Sequence, residues 1–222
     1  MTIAQHAVIM CLAPPDKTRC DSAVFSTTLL AVALLMLSLA TQPSAQAAEV
    51  TTGKNADTGL RYWQWQSGDL LLKLTQRLPD QTRAFFMARG FTTEQANTIA
   101  TNCAFQSMMK NTGSDSVIKL DLSQWTVKHN NRQHSLRTRE VWKPIWKKQQ
   151  ANPAAQIAFE WALLPTHQTY NTDDYNWGLS SYGLPPGSVF DLNFSWQRNG
   201  KTLHGQIKSI QCPADDHQEP KP

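Results

Sequence analysis

The first half of the chain carries apolar residues at helical spacing. Leucines from residue 70 to 78 recur at intervals that predict a helix, and Pro79 ends it. Pro79 also predicts the start of a second helix, which Gly90 ends in the left-handed conformation that glycine favours. A capping box that starts at Thr92 predicts a third helix, which runs to about Lys110.

After a cluster of turn formers at residues 111–116, the hydrophobic period changes from that of a helix to that of a strand. Apolar and polar residues alternate over 118–122 and continue in the opposite phase over 125–127, and large apolar residues alternate with smaller ones over 157–163. A period of two is typical of strands with one buried face, and the change of phase indicates a bulge. We therefore expect Trp161 to lie on a buried strand face.

The last part of the chain predicts a β-hairpin. Asn199-Gly200 is the favoured two-residue turn of type I′ between two strands. On the face that we expect to be buried, this turn pairs Trp196 with Leu203, Phe194 with Gly205, and Leu192 with Ile207. On the other face it pairs Ser195 with His204 and Asp191 with Lys208. The division into an apolar and a polar face supports this register.

Together these elements predict an α+β fold. In this fold an N-terminal helical hairpin of two or three helices packs on a mostly antiparallel β-sheet that ends in the β-hairpin. Helices that precede the strands, rather than alternate with them, favour this segregated arrangement. The pattern leaves open whether the sheet is open, a sandwich or a half barrel.

The longest apolar run predicts a signal peptide. Residues 29–40 are twelve positions without a charge, whereas a membrane-spanning helix needs roughly 20. A positively charged region precedes this run, and a small-x-small cleavage site follows it at residues 45–47. We therefore expect residues 1–47 to be cleaved after Ala47, whether or not translation starts at the internal Met10.

The mature chain is expected to be one exported domain, periplasmic or secreted, with no transmembrane segment. This domain covers residues 48–222 and includes a short polar C-terminal tail at 213–222. The composition, 41% hydrophobic and 17% charged, is that of a globular protein and excludes a disordered chain. A net charge of +4 without a dense basic stripe excludes nucleic acid as the partner.

Two cysteines, Cys103 and Cys212, follow the expected cleavage site. An even pair in an oxidising compartment predicts a disulfide bond. In the alternative interpretation one of the two is a thiolate metal ligand, but neither has a second Cys or a His at metal-binding spacing.

The longest stretch without a regular period is the predicted loop at residues 165–188, where aromatic residues alternate with Asp, Asn and Gly. Loops of this length in compact domains are usually functional or disordered, and the aromatic content argues against disorder. Aromatic faces beside amide and carboxylate groups can hold a sugar ring, a peptide or a partner surface. The candidate ligand-binding residues are Tyr170, Asp173, Asp174, Tyr175, Trp177 and Tyr182. A structural lid and a Ca²⁺ site are the alternatives.

Seven basic residues lie between positions 128 and 148, and we expect part of this region to be a strand. Such a surface can dock on an acidic protein or on anionic lipid headgroups, with tryptophans at the interface. The candidate partner-binding residues are Arg137, Arg139, Lys143, Trp146 and Lys147. In the alternative interpretation the region is a solvated edge strand, where basic residues prevent unwanted strand pairing.

Metal and catalytic chemistry have weaker signals. Met108 and Met109 lie near Cys103 and would suit Cu(I), but the histidines lack the spacing of a local metal site. We assign no metal ligand and leave the cofactor unknown. A triad of His167, Asp173 and one of the serines at 180 and 181 can be drawn within the predicted loop, but a triad is recognised by geometry. We assign no catalytic residue.

The function that these patterns favour is that of an exported, non-catalytic binding or accessory protein. It acts through the aromatic loop and the basic strand region on a protein or glycan of the cell envelope. The alternatives are a periplasmic metal-handling protein of the copper type and a hydrolase with its site at residues 165–188.

Overall fold

The computed structural model describes residues 48–216. The predicted signal peptide, its cleavage site after Ala47 and the end of the tail at 217–222 lie outside the described residues.

Eleven β-strands and four α-helices make up the described part of the chain. The strands are β1 (Glu49–Lys54), β2 (Arg61–Ser67), β3 (Leu70–Gln76), β4 (Ala104–Asn111), β5 (Ile118–Asp121), β6 (Thr126–His129), β7 (Arg132–Ser135), β8 (His167–Tyr170), β9 (Tyr175–Ser181), β10 (Val189–Arg198) and β11 (Lys201–Gln211). The helices are α1 (Pro79–Met87), α2 (Thr93–Ala100), α3 (Arg139–Lys148) and α4 (Pro153–Ala162).

The strands form two antiparallel sheets. Sheet 1 has the order β1-β2-β3-β4-β9. In sheet 2 the long strand β10 pairs with β11 on one side and with both β5 and β6 on the other. The outer neighbour of β5 is β8, and that of β6 is β7. A short 3-10 turn, Leu122–Gln124, separates β5 from β6 along the same side of β10.

The main core lies between the two sheets. Trp65 of sheet 1 packs edge-on against Phe194 and Trp196 of sheet 2, with ring centroids 5.0 and 5.1 Å apart. Cys103, just before β4, is bonded to Cys212, just after β11, so the pair that the sequence predicts joins the two sheets covalently within this core. Contacts of this kind make the two sheets the faces of one sandwich.

The helices form a second apolar cluster on the outer face of sheet 1. They cover Ala104 of β4 and Leu179 of β9, whose side chains point away from the sandwich core. At the centre of this cluster Trp142 and Trp146 of α3 stack with centroids 5.0 Å apart, and Phe159 of α4 packs against both rings. The order of layers is therefore helices, sheet 1 and sheet 2. None of the helices within residues 48–216 has the length and apolar content needed to cross a bilayer.

The predicted α+β fold with an N-terminal helical hairpin is wrong, because the protein is mostly β and its helices are inserted between strands. The predicted first helix is strand β3, a central strand in which Leu70, Leu72 and Leu74 are buried. The predicted third helix ends at Ala100, and its second half is strand β4. The predicted strand at 157–163 is helix α4, for which Asn152 provides the N-cap.

The predicted hairpin is confirmed. Asn199 and Gly200 have φ values of 48° and 78°, as a type I′ turn requires. Trp196 pairs with Leu203, Phe194 with Gly205, Leu192 with Ile207, and Ser195 with His204, as the sequence indicates. Beyond Leu192 the register shifts by a bulge, so Asp191 does not pair with Lys208. Instead the Asp191 carboxylate accepts a hydrogen bond of 2.9 Å from the backbone N–H of Ser209.

Candidate functional site

Residues 165–188 are not one loop. They contain β8, a tight turn and β9, which carry the chain from sheet 2 to sheet 1. In the turn, Asp174 accepts hydrogen bonds from the backbone and side-chain amides of Asn171 at 2.7 and 3.1 Å. Asp173 has a φ of 63° and forms an ion pair of 2.9 Å with Lys110. Both carboxylates therefore have local structural partners.

Tyr170 and Tyr182 are core residues. Both rings are buried between the sheets, and burial raises the pKa of both phenols, so that they stay neutral. The Tyr182 hydroxyl accepts a hydrogen bond of 3.0 Å from Ser180, and the hydroxyls of Ser180 and Ser107 lie 2.6 Å apart. A buried ring cannot reach an external ligand without moving, so these two tyrosines leave the candidate binding set.

Tyr175 and Trp177 are 60% and 58% exposed on one face of β9. Their cross-strand partners on β4 are Lys110 and Met108. We call these four residues the aromatic platform. It lies on the part of the outer face of sheet 1 that the helices leave open, and its ring faces are available for stacking.

Part of the basic region at 128–148 is strand, in β6 and β7, but Arg137 and Arg139 are not on a strand, because Arg139–Lys148 is helix α3. Trp146 is buried against Trp142 and cannot contact a partner. Arg137 lies 5.6 Å from the Trp142 ring, and Arg139 donates a hydrogen bond of 3.0 Å to the carbonyl of Leu163. Both arginines therefore support the fold of the helical layer.

The lysines of the predicted partner-binding set have a different position. Lys143 lies 3.7 Å from Glu160 of α4, and both Lys143 and Lys147 are exposed. They remain available to a partner on the outer surface of the helical layer.

Among residues 48–216 the structure does not bring together the side chains of the metal or hydrolase sites that the sequence leaves open. Within residues 48–216 no group of three His, Cys, Asp or Glu side chains is close enough to hold a metal ion. Cys103 is in the disulfide, Met109 is in the core and Met108 is on the opposite face of β4.

The residues of the imagined triad are also separated. His167 is on β8 of sheet 2, whereas Ser180 is buried in sheet 1 and Asp173 is paired with Lys110. Ser181 is buried as well. These side chains lie on different sheets and have other partners.

A cleft of about 1250 Å³ lies on the outer face of sheet 2. Its walls carry amide side chains from Gln124, Gln133, Gln168, Asn193, Gln197 and Gln206. Hydroxyl groups come from Thr126, Thr169, Ser195 and Thr202, and imidazoles from His167 and His204. Lys119 and Asp121 are the two remaining polar side chains. We call this feature the polar cleft.

The floor of the polar cleft is the β10–β11 hairpin. Three cross-strand pairs follow one another along it: Asn193 with Gln206, Ser195 with His204, and Gln197 with Thr202. In the first pair the Gln206 amide donates a hydrogen bond of 2.7 Å to the Asn193 carbonyl oxygen. The pairs therefore present a row of side-chain donors and acceptors from a single rigid element.

The break between β5 and β6 opens the middle of the cleft. There the indole Nε1 of Trp125 donates a hydrogen bond of 3.0 Å to the backbone carbonyl of Ser195, which has no strand partner on that side. The phase change that the sequence shows between 118–122 and 125–127 is thus a real interruption of the strand. At this interruption the buried indole of Trp125 donates to Ser195 the hydrogen bond that a neighbouring strand would otherwise donate.

One wall of the cleft carries an acid–base pair. The imidazole Nε2 of His167 lies 3.3 Å from Oδ1 of Asp121. Burial alone would raise the pKa of Asp121, but hydrogen bonds from the side chain and backbone of Ser123, together with His167, hold this pKa below its usual value. Asp121 is therefore ionised at neutral pH and balances Lys119, so the charge of the lining is close to zero.

The sequence contains part of the signal for this cleft. It places Asn193, Ser195, His204 and Gln206 on the polar face of the hairpin, and the structure agrees. It does not reveal that β5, β6 and β8 join that face, because their pairings with β10 and with each other join residues at least 46 positions apart.

The comparisons with known proteins leave the function open. No family model matches the chain, and no curated protein matches it. Among solved structures, a candidate lipoprotein of Bacillus subtilis is similar with 14% sequence identity and a TM-score of 0.30. The match covers 74% of this chain and 35% of that one, so the chain spans about a third of that structure's length. A TM-score of this size does not establish a shared fold.

Proposed function

We propose that the protein is an exported binding protein that holds a neutral glycan segment in the polar cleft. The observation that carries this proposal is the lining of the cleft, in which most side chains are amide, hydroxyl or imidazole groups on one sheet face. The signal-peptide pattern at residues 1–47 supports export. So does the disulfide between Cys103 and Cys212, because such bonds persist in oxidising compartments.

The chemistry of the lining favours sugar hydroxyls as its ligands. An amide side chain offers both donors and acceptors, and so does the hydroxyl of a Ser or Thr. The charges of Lys119 and Asp121 compensate each other, so neither a strongly anionic nor a strongly cationic ligand is favoured. A volume of about 1250 Å³ exceeds that of common small-molecule pockets, which favours an oligomer over a single sugar unit.

A peptide fits the polar cleft less well. Peptides that lie along a sheet gain specificity from pockets for alternate side chains. Three apolar residues of sheet 2 also border the cleft: Leu120, Phe194 and Trp196. They border it from the core side of the sheet, because their side chains are buried in the core. The surface of the cleft therefore offers hydrogen bonds rather than apolar pockets.

The geometry favours binding over glycoside hydrolysis. Most glycosidases use two carboxyl groups that flank the scissile bond. Among the described residues that line the cleft, Asp121 is the only carboxylate, and it is paired with His167. The floor pairs Asn193–Gln206 and Ser195–His204 are held by the strand ladder, which limits the entropy lost on binding.

The test is binding to an array of neutral and charged oligosaccharides, followed by calorimetry with the best neutral ligand. The double variant Asn193→Ala with Gln206→Ala removes two groups from the floor without touching the core. We expect it to weaken binding at least about tenfold, because two hydrogen-bonding side chains are lost. The control is Trp177→Ala, which lies on sheet 1 and should bind as the wild type does.

Two results would overturn the proposal. The first is an array on which no neutral oligosaccharide binds to the wild type. The second is a ligand whose affinity is unchanged in the floor variant.

The aromatic platform is a second candidate binding surface. Tyr175 and Trp177 expose more than half of their area side by side on β9, and an exposed aromatic face can stack on a sugar ring. If Trp177→Ala abolishes glycan binding while the floor variant retains it, the ligand site is the aromatic platform and not the polar cleft.

A further inference from the structure

We propose that the outer surface of α3 and α4 docks the protein on an anionic lipid bilayer. Three apolar side chains are exposed on these two helices: Val141 of α3, and Ile157 and Trp161 of α4. Ile157 and Trp161 are one helical turn apart, so they lie on the same face, and they are 59% and 82% exposed. We call these three residues the helical ridge.

The helical ridge is not used by the core. On the inward face of α4, Ala155 and Phe159 are buried in the helical cluster. An 82% exposed tryptophan on a well-packed helix is uncommon, since a large apolar ring in water is unfavourable. The fold thus holds Trp161 in a position where its ring can contact a lipid bilayer or another molecule.

Exposed lysines lie on α3, one of the two helices that carry the helical ridge. The ion pair between Lys143 and Glu160 places the exposed sides of the two helices next to each other. Lys147 and Lys148 follow on α3, and among the residues 48–216 no carboxylate lies within 4.0 Å of either. Between positions 137 and 163 the chain has five basic and two acidic residues, and three of the basic ones, Lys143, Lys147 and Lys148, are exposed on α3.

This combination suits a bilayer better than a protein partner. Indole rings favour the boundary between headgroups and acyl chains, and lysines are attracted to anionic lipid headgroups. A stable protein interface buries roughly 800 Å² on each partner, far more than three side chains of a helix pair provide. An amphipathic surface held at a bilayer needs only a few inserted apolar residues with basic residues beside them.

The position of this surface in the fold is compatible with ligand binding in the polar cleft. The helices lie on the outer face of sheet 1, whereas the cleft lies on the outer face of sheet 2. A protein docked through its helices would direct the polar cleft away from the lipid. The docking inference does not depend on which ligand the cleft holds.

The test is co-sedimentation of the protein with vesicles of phosphatidylcholine alone and of phosphatidylcholine mixed with phosphatidylglycerol. Each variant is isolated from the exported fraction and its mass is measured, because a retained apolar segment 29–40 would itself bind vesicles. We expect the wild type to bind the mixed vesicles at low ionic strength and to dissociate as salt is added. Vesicles of phosphatidylcholine alone should bind it much less.

Three variants locate the contact. Trp161→Ala should weaken binding to the mixed vesicles roughly tenfold, and Lys147→Ala with Lys148→Ala should weaken it roughly thirtyfold. Trp177→Ala, a second exposed tryptophan that lies on β9 rather than on the helices, is the matched control and should bind as the wild type does.

The inference is overturned if the wild type does not bind the mixed vesicles. It is also overturned if Trp161→Ala and Trp177→Ala bind equally, because charge alone would then account for the association. If instead Trp161→Ala loses a co-purifying acidic protein and vesicle binding is absent, the surface is a protein interface and the bilayer is excluded.

Discussion

Phe159 and Trp161 are separated by a single residue on α4, yet they lie on opposite sides of the helix. The Phe159 ring is 1% exposed and contacts Trp142 and Trp146 at centroid distances of 5.3 and 5.1 Å. The Trp161 ring is 82% exposed. A helix of 3.6 residues per turn separates positions i and i+2 by about 200°, which explains the difference.

Substitution of these two residues should have very different effects on stability. Phe159→Ala leaves a cavity among stacked rings and should lower the free energy of unfolding by about 3 to 5 kcal/mol. Trp161→Ala removes an exposed ring and should change this free energy by no more than about 0.5 kcal/mol. Urea denaturation of both variants measures the difference. Equal losses for the two would show that both rings are buried and that the segment is not this helix.

The same segment shows why a period of two was misleading. Ile157, Phe159, Trp161 and Leu163 alternate with other residues, and this pattern fits a strand. In the structure Ile157 and Trp161 are on the exposed side of α4, whereas Phe159 and the C-cap residue Leu163 are buried. A signal for the helix was present, because Asn152 and Pro153 are typical of the N-cap and N1 positions.

The predicted helix at 70–78 is wrong for a different reason. The five leucines between positions 70 and 78 satisfy both helical and strand spacing, so the period alone does not decide. The structure buries Leu70, Leu72 and Leu74 in a central strand between β2 and β4. The deciding feature is the turn at Gly68, whose φ of 55° closes a hairpin with β2.

Local sequence signals predict strand pairing where one turn sets the register. They do not predict it where strands that are distant in sequence meet. Asn199-Gly200 predicts most of the β10–β11 pairing, including the polar pairs on the floor of the cleft. The walls of the cleft depend on β8 meeting β5, where His167 pairs with Asp121 across 46 positions of sequence. No local pattern encodes such a pairing, because it is selected by the packing of the whole sandwich.

The disulfide should contribute a large part of the stability. Cys103 and Cys212 are 109 residues apart, and the chain-entropy model gives about 4 to 5 kcal/mol for closing a loop of that size. The double variant Cys103→Ala with Cys212→Ala should therefore show a much lower midpoint of thermal unfolding. Calorimetry of the oxidised wild type beside the double variant measures it. A midpoint within a few degrees would mean that packing alone holds the two sheets together.

At acidic pH the stability of the protein should fall, because Asp121 becomes protonated. Hydrogen bonds from Ser123 and the nearby His167 hold the folded pKa of Asp121 below its unfolded value, so the ionised form stabilises the fold. This contribution is present above the unfolded pKa of about 3.9 and is lost as the pH falls through the folded pKa. Asp121→Asn should therefore be less stable than the wild type at pH 6, and the difference should disappear at the lowest pH.

The control for this effect is Ser123→Ala. It removes the hydroxyl whose oxygen lies 2.6 Å from Oδ1 of Asp121 and leaves the carboxylate in place. Its loss of stability at pH 6 should lie between zero and that of Asp121→Asn. Urea midpoints measured from pH 6 down to pH 3 test both variants. Parallel curves for Asp121→Asn and the wild type would contradict the assignment.

At alkaline pH the stability of the protein should fall, because Tyr182 and Tyr170 are buried. Burial raises the pKa of both phenols, so the folded state keeps them protonated while the unfolded chain releases the proton at a pH of about 10. Their contribution to stability is therefore complete below that pH and decreases as the pH rises above it. In Tyr182→Phe the loss of stability above that pH should be smaller than in the wild type. In the double variant with Tyr170→Phe it should be smaller still.

At neutral pH, Tyr182→Phe should lower the free energy of unfolding by only about 1 kcal/mol, the value of one neutral hydrogen bond. Ser180 loses its contact with the phenol but keeps Ser107, whose oxygen lies 2.6 Å away, so no buried hydroxyl is left unpaired. The stability curves of the variant and the wild type should then approach each other or cross above a pH of about 10. Urea midpoints at neutral and alkaline pH, with tyrosinate absorbance as the second signal, test this. If the phenols ionise before the tertiary structure is lost, the tyrosines are not buried as described.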